Sequence, residues 1–182
     1  MKRMSLSALA VAAALCAAMP LRAQQLVPAS EGFRFGLGVG ATQPLGDYGD
    51  FDKMGINLLG IFETPFASSP LYLRIDGIYS STAHEGTGAS GSTSILGGNA
   101  SVLYHFSAPN AQARPYALGG LGIYNVDDGT DSQTKIGLGL GGGVTFSIGG
   151  LNAFAEARYI SVKTDGASTS FVPVTIGLLF GY

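Results

Sequence analysis

One pattern runs through nearly the whole chain: short stretches in which apolar residues alternate with small or polar ones, each followed by a break. A period of two residues is typical of β-strands, whose successive side chains point to opposite faces. The i, i+3, i+4 spacing of an amphipathic helix does not persist, and glycine within most stretches disfavours helix. The pattern therefore predicts an all-β protein with strands at 33–42, 54–64, 71–80, 94–106, 114–126, 135–148, 151–162 and 171–182.

The breaks between these eight strands alternate in character. After the first, third, fifth and seventh strands they read QPLGDYGDFDK, SSTAHEGTGASGSTS, VDDGTDSQT and KTDGASTS. After the second, fourth and sixth they shorten to PFASSP, SAPNAQA and GG. Elaborate loops at one end and tight turns at the other are typical of a transmembrane β-barrel with extracellular long loops. We therefore expect an eight-stranded antiparallel up-and-down transmembrane β-barrel.

The amino-terminal segment has a different composition from the rest of the chain. Residues 1–23 begin with Lys2 and Arg3, continue through an apolar stretch and end on Ala23. These features predict a secretory signal peptide, with the barrel domain at 24–182. The apolar stretch is shorter than the ~20 residues that a spanning helix needs, so an uncleaved anchor is the less favoured alternative. Cleavage would remove the only cysteine, Cys16, which excludes disulfides and cysteine catalysis.

Composition also distinguishes this chain from a water-soluble domain. It is 46% apolar and only 12% charged, whereas typical soluble domains carry about 25% charged residues. Without the signal peptide, 7 basic residues remain against 12 acidic ones, a net charge of −5. An acidic chain without basic runs argues against nucleic acid as a partner. The low charge instead indicates that much of the surface meets surroundings other than water.

The strand at 135–148 indicates which face of the sheet meets lipid. Its large apolar residues, from Ile136 to Ile148, alternate with glycines and hydroxyl residues. A stripe of glycine makes a poor soluble surface but suits a narrow barrel interior, so the apolar face is predicted to point outward. The two-residue turn that follows places Leu151 on the same face as Ile148. Alternation from Leu151 then turns Glu156 and Arg158 into the lumen.

The same reasoning on the other strands predicts a charged lumen in which cations and carboxylates balance. Burying a charge is costly unless it is paired, so we expect an ion-paired core that closes the barrel. Glu156 and Arg158 are expected to pair with Arg74 and with Asp76 or Glu63. The orientation of the strand at 114–126 stays undecided, because two sets of residues are plausible lipid faces. One set is Tyr116, Leu118 and Tyr124, and the other is Ala117, Leu121 and Ile123. The predicted lumen set is Arg34, Glu63, Arg74, Asp76, Glu156 and Arg158.

Three other patterns could indicate a binding or catalytic site, but we favour a structural interpretation of each. Residues 137–142 match the dinucleotide fingerprint G-x-G-x-x-G, but a strand follows where that motif requires a helix. The segment DDGTD at 127–131 fails the spacing of a calcium loop and is interpreted as a solvated turn. His84 and His105 are the only histidines, and no Ser/His/acid arrangement surrounds either. We therefore expect no catalytic residues, no metal and no cofactor.

Several segments resemble those of a known family. RPYALGGLGIY, AFAEARYISV and VPVTIGLLFGY resemble the fifth, seventh and eighth strands of the OmpA/OmpX-like small outer-membrane barrels, the opacity-type barrel domain. GVGATQPLGDY resembles that family's first strand and loop. The resemblance implies an eight-stranded barrel in a Gram-negative outer membrane, surrounded by outer-membrane lipids and lipopolysaccharide. It also implies a terminal aromatic residue that is read by the barrel-assembly machinery. Within the last strand, Leu178, Phe180 and Tyr182 share the outward row, where an aromatic residue would also anchor the membrane interface.

The expected function is a structural or surface-interaction role, in which acidic extracellular loops contact a host or surface ligand. A lipid-modifying enzyme is one alternative. A small pore or a soluble lipocalin-like carrier is another.

Overall fold

The computed structural model describes residues 32–66, 70–84, 91–106, 111–148, 151–164 and 167–181. Nearly all of this is strand, with one five-residue helix, α1 (Asp47–Phe51), between the first two strands. No described helix is long and apolar enough to cross a membrane. The strands are β1 (Arg34–Leu45), β2 (Gly55–Pro65), β3 (Leu71–Ala83), β4 (Ser92–His105), β5 (Ala113–Asp127), β6 (Ser132–Ile148), β7 (Leu151–Thr164) and β8 (Ala167–Gly181).

The eight strands form a closed antiparallel barrel, which confirms the predicted fold class. Each strand pairs with its neighbours in the chain, and β8 pairs back onto β1. The closing register places Phe35 opposite Phe180 and Leu37 opposite Leu178. Closure leaves no strand edge unpaired, which is the condition for a sheet to sit in lipid.

The strands extend further than predicted at the loop end of the barrel. β5 and β6 are joined by only the four residues 128–131, and β8 begins at Ala167, three positions after the end of β7. The long loops predicted after the fifth and seventh strands are therefore wrong. Polar side chains continue the pairing there, because Asn125 Nδ2 donates to Ser132 Oγ at 3.0 Å and to Thr134 Oγ1 at 3.1 Å.

The outer face of the barrel is apolar, as the alternation predicted. On β6, Ile136, Leu138 and Leu140 are 55–67% exposed. Ile148 pairs with Leu151 across the turn to β7, which confirms the parity used for that strand. Phe154 and Glu156 consequently face inward and are buried.

The lumen is filled rather than hollow at the level of the strands. β1 and β6 present glycines to the interior, among them Gly38, Gly137 and Gly141. Side chains from neighbouring strands occupy the space: a Cβ on Gly38 would lie 2.9 Å from Phe154, and one on Gly137 2.7 Å from Tyr124. Both distances are shorter than van der Waals contact, so these positions require glycine if the large side chains are to fit.

Candidate functional site

The structure turns all six predicted lumen charges into the barrel interior. Strand register explains part of this arrangement, because Arg34 pairs with Glu63 across β1 and β2, and Glu63 pairs with Arg74 across β2 and β3. Opposite charges on directly paired residues stabilise one another. Each of Arg34, Glu63, Arg74, Asp76, Glu156 and Arg158 is at most 4% exposed.

Glu63 and Arg74 form the first half of a continuous set of ion pairs. Arg34 Nη2 lies 2.9 Å from Glu63 Oε2. Arg74 Nε donates to Glu63 Oε1 at 2.8 Å. Through Nη1, the same guanidinium also donates to Glu156 on the far side of the lumen. Arg74 therefore joins β2 and β3 to β7.

Arg158 completes the set. Its Nη1 lies 2.8 Å from both carboxylate oxygens of Asp76, and its Nε donates to Glu156. Charges consequently alternate in sign along an unbranched path, which we call the ionic chain: Arg34, Glu63, Arg74, Glu156, Arg158, Asp76. Alternation of this kind places every buried charge beside at least one of opposite sign, which offsets the cost of burial.

Neutral side chains from β4 and β5 extend this network. Tyr116 donates its hydroxyl proton to Glu156 Oε2 at 2.6 Å, and Asn99 Nδ2 donates to Asp76 Oδ2 at 2.9 Å. Tyr124 in turn donates to Asn99. These bonds explain the orientation of β5 that the sequence left open: tyrosine hydroxyls find partners in the lumen, and Leu121 and Ile123 face outward, 58% and 62% exposed.

Arg114 is a lumen residue that the sequence analysis missed. It is 4% exposed, and its Nη2 donates to the Tyr72 hydroxyl at 3.3 Å. His105 lies nearby, with its ring centroid 4.7 Å from that of Tyr72 and 5.3 Å from that of Tyr116. Arg114 shares the inward parity of Tyr116, so the undecided face of β5 is the reason that it was missed. The ionic chain together with Arg114 thus has four guanidinium groups and three carboxylates, whereas the predicted set had three of each.

A second polar group, which we call the mouth cluster, lies at the loop end of the lumen. Thr82 Oγ1 donates to Asp52 Oδ2 at 2.6 Å and lies 2.7 Å from the Tyr48 hydroxyl. His84 Nε2 lies 3.7 Å from Asp52 Oδ1 and 3.3 Å from Thr93 Oγ1. Burial raises the pKa of Tyr48 to about 12. These contacts hold α1 over the barrel opening.

The acidic turn between β5 and β6 uses its carboxylates to bind its own backbone. Asp128 Oδ1 accepts from the N–H groups of Thr130 and Asp131, both at 2.8 Å. The N–H of Asp131, followed by that of Thr130, lowers the pKa of Asp128. Within the described part of the chain, no three His, Cys, Asp or Glu side chains are grouped as metal ligands.

The remaining candidate positions lie on β6 and β8. The G-x-G-x-x-G match at 137–142 is entirely strand. Leu178 and Phe180 face outward, 41% and 48% exposed, while Tyr182 lies outside the described residues.

The comparisons with known proteins agree with this geometry. The model of one family, described as the outer membrane protein beta-barrel domain, matches residues 8–182. The chain belongs to the outer membrane protein beta-barrel domain family. This membership confirms the resemblance drawn from the strand segments and places the barrel in an outer membrane.

Solved structures of other outer-membrane barrels share the fold. Neisserial surface protein A has a TM-score of 0.65 at 19% identity, covering 83% of this chain and 97% of its own. A major outer membrane protein from Thermus thermophilus has a TM-score of 0.55 at 14% identity, covering 83% and 100%. The outer membrane enzyme PagL has a TM-score of 0.51 at 16% identity, covering 82% and 99%. No curated protein matches the sequence.

Membership of the outer-membrane barrel family settles which face of the sheet meets lipid. The outward rows of Leu37, Ile136 and Leu140 contact the membrane. The ionic chain lies in the lumen, and the strands separate it from lipid. A soluble carrier is therefore the wrong alternative. Export through residues 1–23 stays a prediction, because these residues lie outside the described part of the chain.

Proposed function

We propose that this outer-membrane barrel is closed to ions and small solutes, and that it acts through its extracellular surface in a structural or surface-interaction role. The filled lumen, in which the ionic chain joins opposite walls, carries the proposal. The guanidinium groups of the ionic chain bind carboxylates from opposite walls of the lumen, so charged groups that could line a water path are engaged with one another. A liposome-swelling assay with small sugars as osmolytes tests closure, and the wild-type protein is expected to give no swelling above empty liposomes.

The extracellular rim supplies the proposed interaction surface. Asp47 and Asp50 on α1 and Asp128 and Asp131 in the next described turn are exposed. Clustered exposed carboxylates create a negative potential that attracts basic partners and weakens as salt rises. A basic host or surface ligand is thus the class that fits this rim.

Retention on charged surfaces tests the sign of the electrostatic potential at the rim. The protein in zwitterionic nanodiscs should bind a polylysine surface in a salt-sensitive way, with empty nanodiscs as the blank. The variant carrying Asp47→Asn, Asp50→Asn, Asp128→Asn and Asp131→Asn should lose this retention. Stronger retention on a heparin surface than on polylysine would contradict the proposal.

Enzyme activity is not part of this proposal, although the PagL structure shares the fold. A Ser-His-acid triad uses one imidazole nitrogen for the nucleophile and the other for the acid. In the mouth cluster, a single nitrogen, His84 Nε2, faces both Asp52 and Thr93. His105 is enclosed by Tyr72 and Tyr116, away from lipid.

A product assay tests this part of the proposal. Purified lipopolysaccharide incubated with the wild-type barrel is expected to release no fatty acid and to keep its mass. Acyl release that disappears in His84→Ala would establish the enzyme alternative instead.

A further inference from the structure

We propose that the barrier to ions is an apolar plug inside the barrel, and that the ionic chain stabilises the lumen without being the seal. The inference rests on the proposed closed lumen and identifies the residues that close it. The apolar plug comprises Leu59, Ile61, Ile78, Ile95, Tyr124, Phe154, Ile160, Val162, Phe171 and Leu179.

Six of the eight strands contribute side chains to the apolar plug. Its members come from β2, β3, β4, β5, β7 and β8, and β1 and β6 contribute the glycine walls that make room for them. Every member is at most 5% exposed, and Ile95, Tyr124, Ile160, Val162 and Phe171 are fully buried. Apolar side chains of six described strands therefore pack together in the lumen, beside the hydrogen-bonded side chains of Thr42, Asn57, Ser80 and Thr175.

The plug extends from the level of the ionic chain to the loop end of the barrel. Ile61 pairs with Asp76, a member of the ionic chain. Ile95 pairs with Val126 near the ends of β4 and β5, and Tyr48 of α1 packs against the cluster from the loop side. An ion entering from the loops would pass the mouth cluster and would then meet the apolar side chains before it reached the ionic chain.

Tyr124 lies against one wall of the lumen, where three glycines make room for its ring. A Cβ on Gly97, Gly122 or Gly137 would approach its ring to 2.5, 2.8 or 2.7 Å, so the ring lies directly against three adjacent strands. Its centroid is 6.2 Å from that of Phe171, with the rings nearly perpendicular. This edge-to-face contact joins β5 to β8 across the lumen.

Physical chemistry favours the apolar plug over the ionic chain as the seal. Hydrophobic constrictions exclude water and so block ions, which lose hydration that no apolar side chain replaces. Polar groups, in contrast, can exchange partners with water. Loss of one ion pair would leave the packed apolar layer intact, whereas loss of two large plug residues would open a gap through that layer.

Single-channel recording in planar bilayers separates the two barriers. The double variant Phe171→Ala with Ile160→Ala removes two directly paired plug residues and is expected to give conducting steps where the wild type gives none. Arg158→Gln removes the guanidinium that links Glu156 to Asp76 and should stay closed. Tyr124→Phe keeps the ring, loses the hydroxyl bond to Asn99 and should also stay closed.

Folding is verified for each variant by its gel mobility shift before boiling. If the alanine double variant does not fold, Ile160→Thr with Val162→Thr replaces it, because threonine keeps the β-branched shape and admits water. A folded plug variant that stays closed would overturn the inference, and so would conducting steps in folded Arg158→Gln. Large steps in the folded wild-type protein would instead contradict the proposed closed barrel.

Discussion

At the scale of single residues, the account depends on buried charges that each contact an opposite charge. Arg158→Ala would leave Asp76 without the guanidinium that lies 2.8 Å from both its oxygens. Breaking a buried pair typically costs about 3 to 5 kcal/mol, so we expect a clear fall in thermal stability, measured as the midpoint of loss of the folded gel band. Lys163→Ala, an exposed cation on the same strand, is the control and should change little.

A double-mutant cycle then measures the interaction free energy between Arg158 and Asp76. Arg158→Ala combined with Asp76→Ala should destabilise the barrel by less than the sum of the single changes, because each single change strands a buried charge. Strict additivity would show that Arg158 and Asp76 are not energetically coupled.

Glycines give a second prediction at this scale, with a matched control in the same barrel. Gly97→Ala would place a Cβ 2.5 Å from the Tyr124 ring, while Gly60→Ala meets nothing within 4 Å. Overpacking typically costs about 1 to 3 kcal/mol, so Gly97→Ala should lower the thermal midpoint and Gly60→Ala should leave it nearly unchanged. Equal effects of the two substitutions would argue against a tightly filled lumen.

At the scale of elements, period-two alternation was enough to predict the eight strands and the faces of β6 and β7. It failed where both faces of a strand are equally apolar, as on β5, where the hydroxyl partners of Tyr116 and Tyr124 decide the orientation. Those partners lie on other strands, so no local pattern reveals them. α1 was missed because only five residues form it, and contacts such as that of Tyr48 with Thr82 hold it in place.

The sequence predicts the individual ion pairs only in part. Parity placed the six charges in the lumen and suggested Arg74, together with Asp76 or Glu63, as partners for Glu156 and Arg158. The shared position of Arg74 between Glu63 and Glu156 depends on how the sheet closes, which brings β3 and β7 across from one another. Only the closed structure supplies that proximity.

The last strand gives a prediction at the scale of the element. β8 closes the barrel on β1, and Phe180 pairs with Phe35 at the end opposite the loops. Deleting residues 180–182, or changing Tyr182 to Asp, should leave the protein exported but unassembled and degraded. Phe51→Asp, which alters an exposed aromatic residue of α1, is the control and should assemble normally. Wild-type levels of the truncated protein in the outer membrane would refute this role.

At the scale of the whole molecule, the two ends of the barrel differ. Aromatic rings gather at one end, where the centroids of Phe33 and Phe62 lie 5.5 Å apart and those of Tyr104 and Phe106 lie 5.0 Å apart. The other end of the barrel carries α1, the mouth cluster and the polar extensions of the strands. Aromatic residues favour the membrane interface, and the longer connections of outer-membrane barrels are extracellular.

Accessibility on whole cells tests this orientation. A protease site or tag inserted at Gly88, between β3 and β4, should be accessible, and one inserted at Asn110, between β4 and β5, should be protected. Accessibility at Asn110 with protection at Gly88 would show that the barrel has the opposite orientation in the membrane.

The central claim is that the lumen of this outer-membrane barrel is closed. Single-channel recording of the folded wild-type protein in a planar bilayer tests it most directly, with the folded state verified by gel mobility before boiling. The apolar plug, in a lumen that the ionic chain stabilises, predicts a flat current trace across the full voltage range. Reproducible, long-lived conducting steps from the folded wild-type protein would contradict the account.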